Sequence, residues 1–85
     1  MHEKITQEFL VKNGFTSDGC YCKLQLNNCS YLEYYKHEQR LRKYNISTLC
    51  PETPPFICFE TNGLIYTDDL QKALELLHID KQLEY

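Results

Sequence analysis

The chain is short, and its composition is that of an ordinary soluble domain. It has 85 residues, of which 42% are hydrophobic and 25% charged, and a formal net charge of −3. A chain of this length builds one small core, which leaves no room for a second domain or an enclosed active-site cavity. Its longest apolar runs have three or four residues, far fewer than the ~20 that a membrane-spanning helix needs. We therefore predict one domain over residues 1–85.

The first residues and the cysteines indicate in which cellular compartment the protein is expected. The opening MHEK leads directly into a polar stretch and lacks the basic and then apolar order of a signal peptide, so a cytoplasmic protein is expected. Five cysteines are an odd count for a disulfide framework. Cys20, Cys22 and Cys58 lie in core-type contexts and are interpreted as reduced thiols packed as small hydrophobes. The single Cys-x-Cys spacing lacks the second pair typical of structural zinc, so no metal or other cofactor is expected.

A short helix is predicted at about 6–13. Thr6 is suited to cap its N-terminus, and Gly14 supplies the left-handed residue that ends it. Ile5 precedes the cap and is placed to contact Leu10. The predicted contribution of this segment to the core is Phe9, Leu10 and Phe15.

The pattern then changes to a period of two, which predicts a hairpin. Cys20, Cys22, Leu24 and Leu26 share one face of the first strand, and Asn27-Asn28 marks the turn. A two-residue turn would set Leu24 opposite Tyr31. A three-residue turn through Cys29 would set Leu24 opposite Leu32 and Cys22 opposite Tyr34, which buries more apolar surface. We favour the second register, which turns Tyr31, Glu33 and Tyr35 away from the core.

Residues 36–49 fit two descriptions. Their pattern fits a loosely amphipathic helix, and it also fits a strand with alternating polar residues. We favour the strand. The prolines Pro51, Pro54 and Pro55 then predict a loop, and the apolar run after it predicts a well-buried strand over residues 56–60.

The sequence patterns near the end of the chain are more specific for a turn and a helix. Asn62-Gly63 predicts a tight hairpin from residues 56–61 into residues 64–66. Thr67 is expected to cap a second helix, whose buried face is formed by Leu70, Ala73, Leu74 and Leu77. The predicted fold is α+β, with a small antiparallel sheet of two hairpin-linked groups of strands between an N-terminal and a C-terminal helix.

Charge is distributed unevenly along the chain. Residues 36–43 hold four basic side chains and one acidic one, whereas residues 52–85 hold two basic and seven acidic ones. Tyrosines flank the basic segment, and Tyr and Arg together are typical of partner-binding surfaces. A solvated strand edge protected by charge explains the same pattern. The candidate partner-binding residues are Tyr34, Tyr35, Lys36, Arg40, Arg42, Lys43 and Tyr44.

No catalytic site is predicted. His2, His37 and His78 lie in no recognisable signature with a nucleophile or carboxylate, and His78 is suited to the C-terminal turn of the second helix. The acidic C-terminal half also fits mimicry of a phosphate backbone, although the helix dipole accounts for Asp68 and Asp69.

Both ends of the chain resemble a group of known proteins. The patterns ITxEFLxKxGF at residues 5–15 and LQxALxLLxIxK at residues 70–81 resemble the first and last helices of small proteins carried by phages and mobile elements, anti-CRISPR proteins among them. This resemblance implies a protein that disarms a host defence system in the bacterial cytoplasm. It implies no catalytic residues.

The sequence thus favours a non-enzymatic interaction protein, and the resemblance implies one of the anti-CRISPR type that binds a host RNA-guided nuclease or another defence complex. The alternative is a small accessory domain that binds RNA or single-stranded DNA through the basic, tyrosine-rich segment, against which the net negative charge counts. A third hypothesis is an oligomer formed through a strand edge.

Overall fold

The computed structural model describes residues 3–47, 49 and 52–85. Cys50 and Pro51 therefore lie outside the described residues. The helices and strands are α1 (Gln7–Lys12), β1 (Thr16–Asp18), β2 (Tyr21–Asn27), β3 (Ser30–Tyr35), β4 (Arg40–Asn45), β5 (Phe56–Thr61) and α2 (Thr67–Leu76). The five strands form one antiparallel sheet in the order β1-β2-β3-β4-β5. The predicted α+β fold, with an antiparallel sheet and a helix at each end, is confirmed.

The register of the first hairpin is the predicted one, although its turn differs. Leu24 pairs with Leu32 and Cys22 with Tyr34. The turn itself has two residues, because Asn27 pairs with Ser30, and the additional residue forms a bulge at Leu26. The side chain of Asn27 accepts hydrogen bonds within this turn. The bulge preserves the register that buries the apolar face of β2.

Both helices pack on one face of the sheet. Cys22, Leu24, Leu32, Tyr34 and Leu41 form the sheet side of the core. The remaining buried members are Leu10, Phe15, Leu64, Leu70, Ala73, Leu74 and Leu83. The apolar residues predicted for both helices are thus largely in the core, with Phe9 and Leu77 partly buried at its margin.

The two helices end in the same way. Gly14 follows α1 with φ of +94°, and the N–H of Phe15 donates to the carbonyl of Leu10 at 2.9 Å. After α2, His78 has φ of +59°, and the N–H of Ile79 donates to Leu74 at 2.9 Å. Both are Schellman endings. His78 therefore lies just beyond α2 rather than in its last turn, in the left-handed position that glycine occupies after α1.

The starts of the helices differ from each other. Thr6 caps α1, because its hydroxyl accepts the N–H of Phe9 at 3.1 Å. In α2 the N-cap is Tyr66, and Thr67 is the first helical residue, so the prediction that Thr67 is the cap was one residue late. The N–H of Thr67 donates to the carbonyl of Glu3 at 2.8 Å.

The chain termini are fastened to the helix side of the molecule. Ile5 donates its N–H to the carbonyl of Ile65 at 2.8 Å. The side chain of Asn13, at the end of α1, accepts the N–H of Glu84 at 2.6 Å and donates to its carbonyl at 3.0 Å. Gln71 of α2 accepts the N–H of Leu83 at 2.8 Å. The last residues therefore bridge α1 and α2.

The second half of the sheet contains two departures from the predictions. Residues 40–45 form a strand, as favoured, after a turn at residues 36–39. Gly63 adopts the left-handed conformation, with φ of +69°, but residues 64–66 do not return along β5. Tyr66 instead forms a bridge with Lys4, and the N–H of Leu64 donates to the carbonyl of Gln39 at 2.8 Å. The predicted hairpin into residues 64–66 was wrong, because the chain crosses to the N-terminal segment.

The predicted burial of β5 and of two cysteines was also wrong. β5 is the last strand of the sheet, and most of its residues are exposed. Cys58 is exposed there, and Cys20 is exposed in the turn before β2, whereas Cys22 is buried as expected. An apolar run predicts a buried strand wherever that strand lies in the sheet. The edge position of β5 follows from the order of the strands, which the run itself does not reveal.

We expect His78→Gly to stabilise the protein by about 0.5–1 kcal/mol. A left-handed backbone costs a non-glycine residue about 1–2 kcal/mol, and the greater freedom of glycine in the unfolded chain offsets part of that gain. Gly14→Ala, at the equivalent position after α1, should destabilise by a similar amount. Urea unfolding of both variants measures the change, and a less stable His78→Gly protein would contradict this account of the α2 ending.

Candidate functional site

The sheet face opposite the helices is covered by neither of them. Residues opposite one another in antiparallel strands point to the same side, so the strand register determines the composition of this face. We call it the open face and define it by Tyr21, Lys23, Tyr31, Glu33, Tyr35, Arg40, Arg42, Tyr44 and Glu60.

A row of alternating charges crosses the middle of the open face. Lys23 of β2 lies opposite Glu33 of β3, Glu33 lies opposite Arg42 of β4, and Arg42 lies opposite Glu60 of β5. The guanidinium of Arg42 is 2.5 Å from the Glu60 carboxylate. Each charge thus has an opposite charge as its cross-strand neighbour, an arrangement that stabilises sheets. The row as a whole is electrically neutral.

Pairs of tyrosine rings lie on either side of this row. On one side, the rings of Tyr31 and Tyr44 are stacked, with centroids 5.2 Å apart. On the other side, Tyr21 and Tyr35 make a tilted contact at 5.5 Å. Such contacts stabilise a pair by roughly 0.5–1.5 kcal/mol beyond the effect of burial. The tyrosines are therefore held in place by one another.

The two cations of the row cover the rings beside them. The ammonium of Lys23 lies 4.2 Å from the centroid of the Tyr31 ring, and the guanidinium of Arg42 lies 5.2 Å from that of Tyr35. Both distances are within the range of cation–π attraction. As a result Tyr31 is only 8% exposed, although no helix lies above it. Much of the ring surface on the open face is already occupied by neighbouring side chains.

The tyrosine hydroxyls form a network with the charged row. Tyr35 donates to the carboxylate of Glu33 at 2.6 Å, and its oxygen is 3.4 Å from the hydroxyl of Tyr44. Arg42 donates to the Tyr44 hydroxyl at 3.3 Å. Burial, followed by the hydrogen bond to Glu33, raises the pKa of Tyr35 well above its ordinary value. Burial also raises the pKa of Tyr31, so both phenols are held in the protonated form.

Four of the seven predicted partner-binding residues lie together on the open face. Tyr35 is in β3, and Arg40, Arg42 and Tyr44 are the alternate residues of β4 that share its face. Arg40 donates to the side chain of Asn62 at 2.8 Å, at the border of the face. The structure therefore brings these four side chains onto one surface.

The other three predicted residues lie elsewhere. Tyr34 points to the core, where it is 3% exposed and donates its hydroxyl proton to the carbonyl of Leu64 at 2.5 Å. Lys43 lies opposite Leu32 on the helix side. Lys36 lies in the turn before β4, and its ammonium donates to Gln7 of α1 at 2.7 Å. Consecutive residues of a strand alternate between faces, so a contiguous segment does not form a single surface, and we do not place these three in the site.

The prediction missed five residues of the open face: Tyr21, Lys23, Tyr31, Glu33 and Glu60. Period-two alternation in β2 and β3 already marked all of these except Glu60 as facing away from the core. Glu60 is identified only by the pairing of β5 with β4, which sequence alone does not give.

The helix side of the molecule also has a concave surface. An open groove of about 520 Å³ lies beyond the end of α2, with Leu24, Leu26, Lys43, Leu77 and Lys81 among its lining residues. Within the described part of the chain, no group of three or more His, Cys, Asp and Glu side chains is placed to hold a metal ion. Neither described helix is long and apolar enough to cross a membrane.

Comparison with known protein families, with curated proteins and with solved structures finds no match to this chain.

The free energy of unfolding is expected to fall as the pH rises above about 10. Unfolded tyrosines lose their protons near the ordinary pKa of 10.0, whereas burial raises the pKa of Tyr31, Tyr34 and Tyr35 in the folded protein. The folded state then binds more protons than the unfolded state, so its stability decreases with pH.

Urea unfolding at several pH values from about 8 to about 11.5 measures this slope. Tyr35→Phe should make the slope shallower, because it removes one of the phenols whose pKa is raised by burial in the folded protein. Equal slopes in the wild type and Tyr35→Phe would show that the hydroxyl network does not hold the Tyr35 proton.

Proposed function

We propose that the protein is a non-enzymatic interaction protein that binds a protein partner on its open face. The observation that carries this proposal is a sheet face covered by neither helix, on which tyrosine and arginine side chains are fixed by contacts with one another. Tyr and Arg are enriched among the residues that dominate binding energy. Side chains that are already ordered lose less conformational entropy when a partner binds.

The charge of the open face favours a protein partner over nucleic acid. Lys23, Arg40 and Arg42 are accompanied by Glu33 and Glu60, so a phosphate backbone would meet carboxylates as well as cations. Binding of single strands also relies on bases stacking on exposed aromatic rings. Here the Tyr31 ring is stacked with Tyr44 and covered by Lys23. A protein surface with polar groups of both signs suits this arrangement better.

The first partner to test is a bacterial defence complex, such as an RNA-guided nuclease. The resemblance of residues 5–15 and 70–81 to small phage proteins supports this choice, and we propose the cytoplasm of a bacterial host as the compartment. The residues that carry the resemblance have structural roles in α1 and α2, so binding itself would depend on the open face. An inhibitor of this kind would act by occupying a surface of its target.

We expect Arg40→Ala/Arg42→Ala to weaken binding of the partner by about 30-fold or more, which corresponds to roughly 2 kcal/mol. The partner is first captured from a bacterial lysate, with and without nuclease treatment, and its affinity is then measured by isothermal titration calorimetry. Lys4→Ala/Lys72→Ala is the matched control, because it removes the same charge from two exposed positions off the open face. Thermal unfolding checks that both variants are folded.

Two results would contradict the proposal. Equal affinity of the arginine variant and the wild type would remove the open face as the binding surface. The second result is capture of RNA or DNA without a protein, which nuclease treatment removes. If the affinity of the chain for that nucleic acid also falls steeply as the salt concentration rises, the nucleic-acid-binding alternative is favoured.

A further inference from the structure

A second surface of the molecule lies along the outer edge of β5. This strand pairs with β4 on one side only, and no other strand of the described chain lies against its free edge. Two large apolar side chains are half exposed there, Phe56 at 51% and Ile57 at 46%. The backbone groups of an unpaired edge strand are a template for pairing with another chain.

The opposite edge of the sheet is quite different. β1 has only three residues, Thr16, Ser17 and Asp18, which are all polar and exposed. Short, polar and charged edge strands discourage pairing with other chains. β5 has six residues and begins with the apolar run Phe56–Phe59. β1 is thus protected by its short length and its polarity, whereas β5 is longer, exposes apolar side chains, and is protected only by a bulge and by Glu60.

Apolar side chains lie on both faces of the sheet at the β5 edge, because Phe56 and Ile57 are consecutive, and a bulge determines which face each one takes. Lys43 pairs with Phe59, but the next residue, Tyr44, pairs with Ile57, so Cys58 is the additional residue. Ile57 consequently shares the open face with Tyr44. Phe56, opposite Asn45, lies on the helix side. A strand added at this edge would meet an apolar side chain on either side of the sheet.

The charge around β5 indicates what such a strand would carry. Residues 52–63 contain two carboxylates, Glu52 and Glu60, and no cation, and Glu60 is already paired with Arg42 of β4. A second copy of this chain would bring the same carboxylates to the contact, and each copy has a net charge of −3. A segment with apolar and basic side chains complements this edge better.

We propose that the β5 edge binds an extended segment of a partner protein, rich in apolar and basic residues, by adding it to the sheet as a sixth strand. Backbone hydrogen bonds would supply affinity, and contacts with Phe56 and Ile57 would supply specificity. This inference rests on the proposed function only in that both require a protein partner, because the side chains assigned to the edge contact, Phe56 and Ile57, differ from the arginines tested on the open face.

The test is a selection of twelve-residue peptides, displayed on phage, against the immobilised full chain. Enriched peptides should combine apolar residues with Lys or Arg, lack proline in their centre, and contain few acidic residues. Affinity of a synthetic copy of the best peptide is then compared by fluorescence anisotropy between the wild type and variants. Phe56→Thr/Ile57→Lys should weaken binding at least tenfold. Val11→Lys, which alters an apolar side chain that is 50% exposed on α1, should not.

Hydrogen exchange in the wild-type protein gives a second readout that does not depend on any variant. The peptide should slow the exchange of backbone amides in β5. The proposal would be overturned if the selection enriched no peptide family. It would also be overturned if the peptide slowed amide exchange only in β2, β3 and β4. Peptide binding by the wild type is scored separately from partner binding by Arg40→Ala/Arg42→Ala, so that failure of the open face and failure of the edge are distinguished. A dimer in sedimentation equilibrium that Phe56→Thr/Ile57→Lys dissociates would assign the edge to a second copy instead.

Discussion

The structure depends on the register of β3, the central strand of the sheet, because both of its faces carry large side chains. Leu32 and Tyr34 point to the helices, and Tyr31 and Glu33 point to the open face. A slip of one residue would exchange the two sets and place a carboxylate in the apolar core, where an unpaired charge is costly. The bulge at Leu26 keeps the register despite the two-residue turn. All other features of the sheet follow from this pairing.

The location of the segments outside the sheet explains why one of its faces is left uncovered. Both helices, the N-terminal segment and the C-terminal residues lie on the helix side, where Asn13 and Gln71 fasten the end of the chain. The described residues contain no further helix to cover the opposite face. Tyrosine rings and paired charges take that place, because their apolar parts pack on one another while their polar ends reach water or partners. A surface built in this way is ordered before any partner arrives.

Local patterns in the sequence were sufficient for the parts of the fold that depend on neighbouring residues. The cap at Thr6, the left-handed ending at Gly14 and the pairing of Leu24 with Leu32 were all predicted and are all present. The position of β5 was mispredicted because burial of an edge strand depends on the order of strands, which no local pattern reveals. The predicted partner-binding residues are divided between the two faces for a similar reason. A continuous segment was chosen, whereas a sheet presents every second residue of several strands.

The open face and the β5 edge are adjacent, because Ile57 lies opposite Tyr44 and Tyr44 is stacked on Tyr31. A strand added to β5 would extend the sheet, and its own alternate side chains would continue the rows of the open face beyond Glu60. The row of charges ends at that carboxylate, so a basic residue in the added strand would continue the alternation of sign. One partner segment at the edge would therefore enlarge the open face without disturbing the contacts that order it. The two surfaces are compatible with a single partner that uses both.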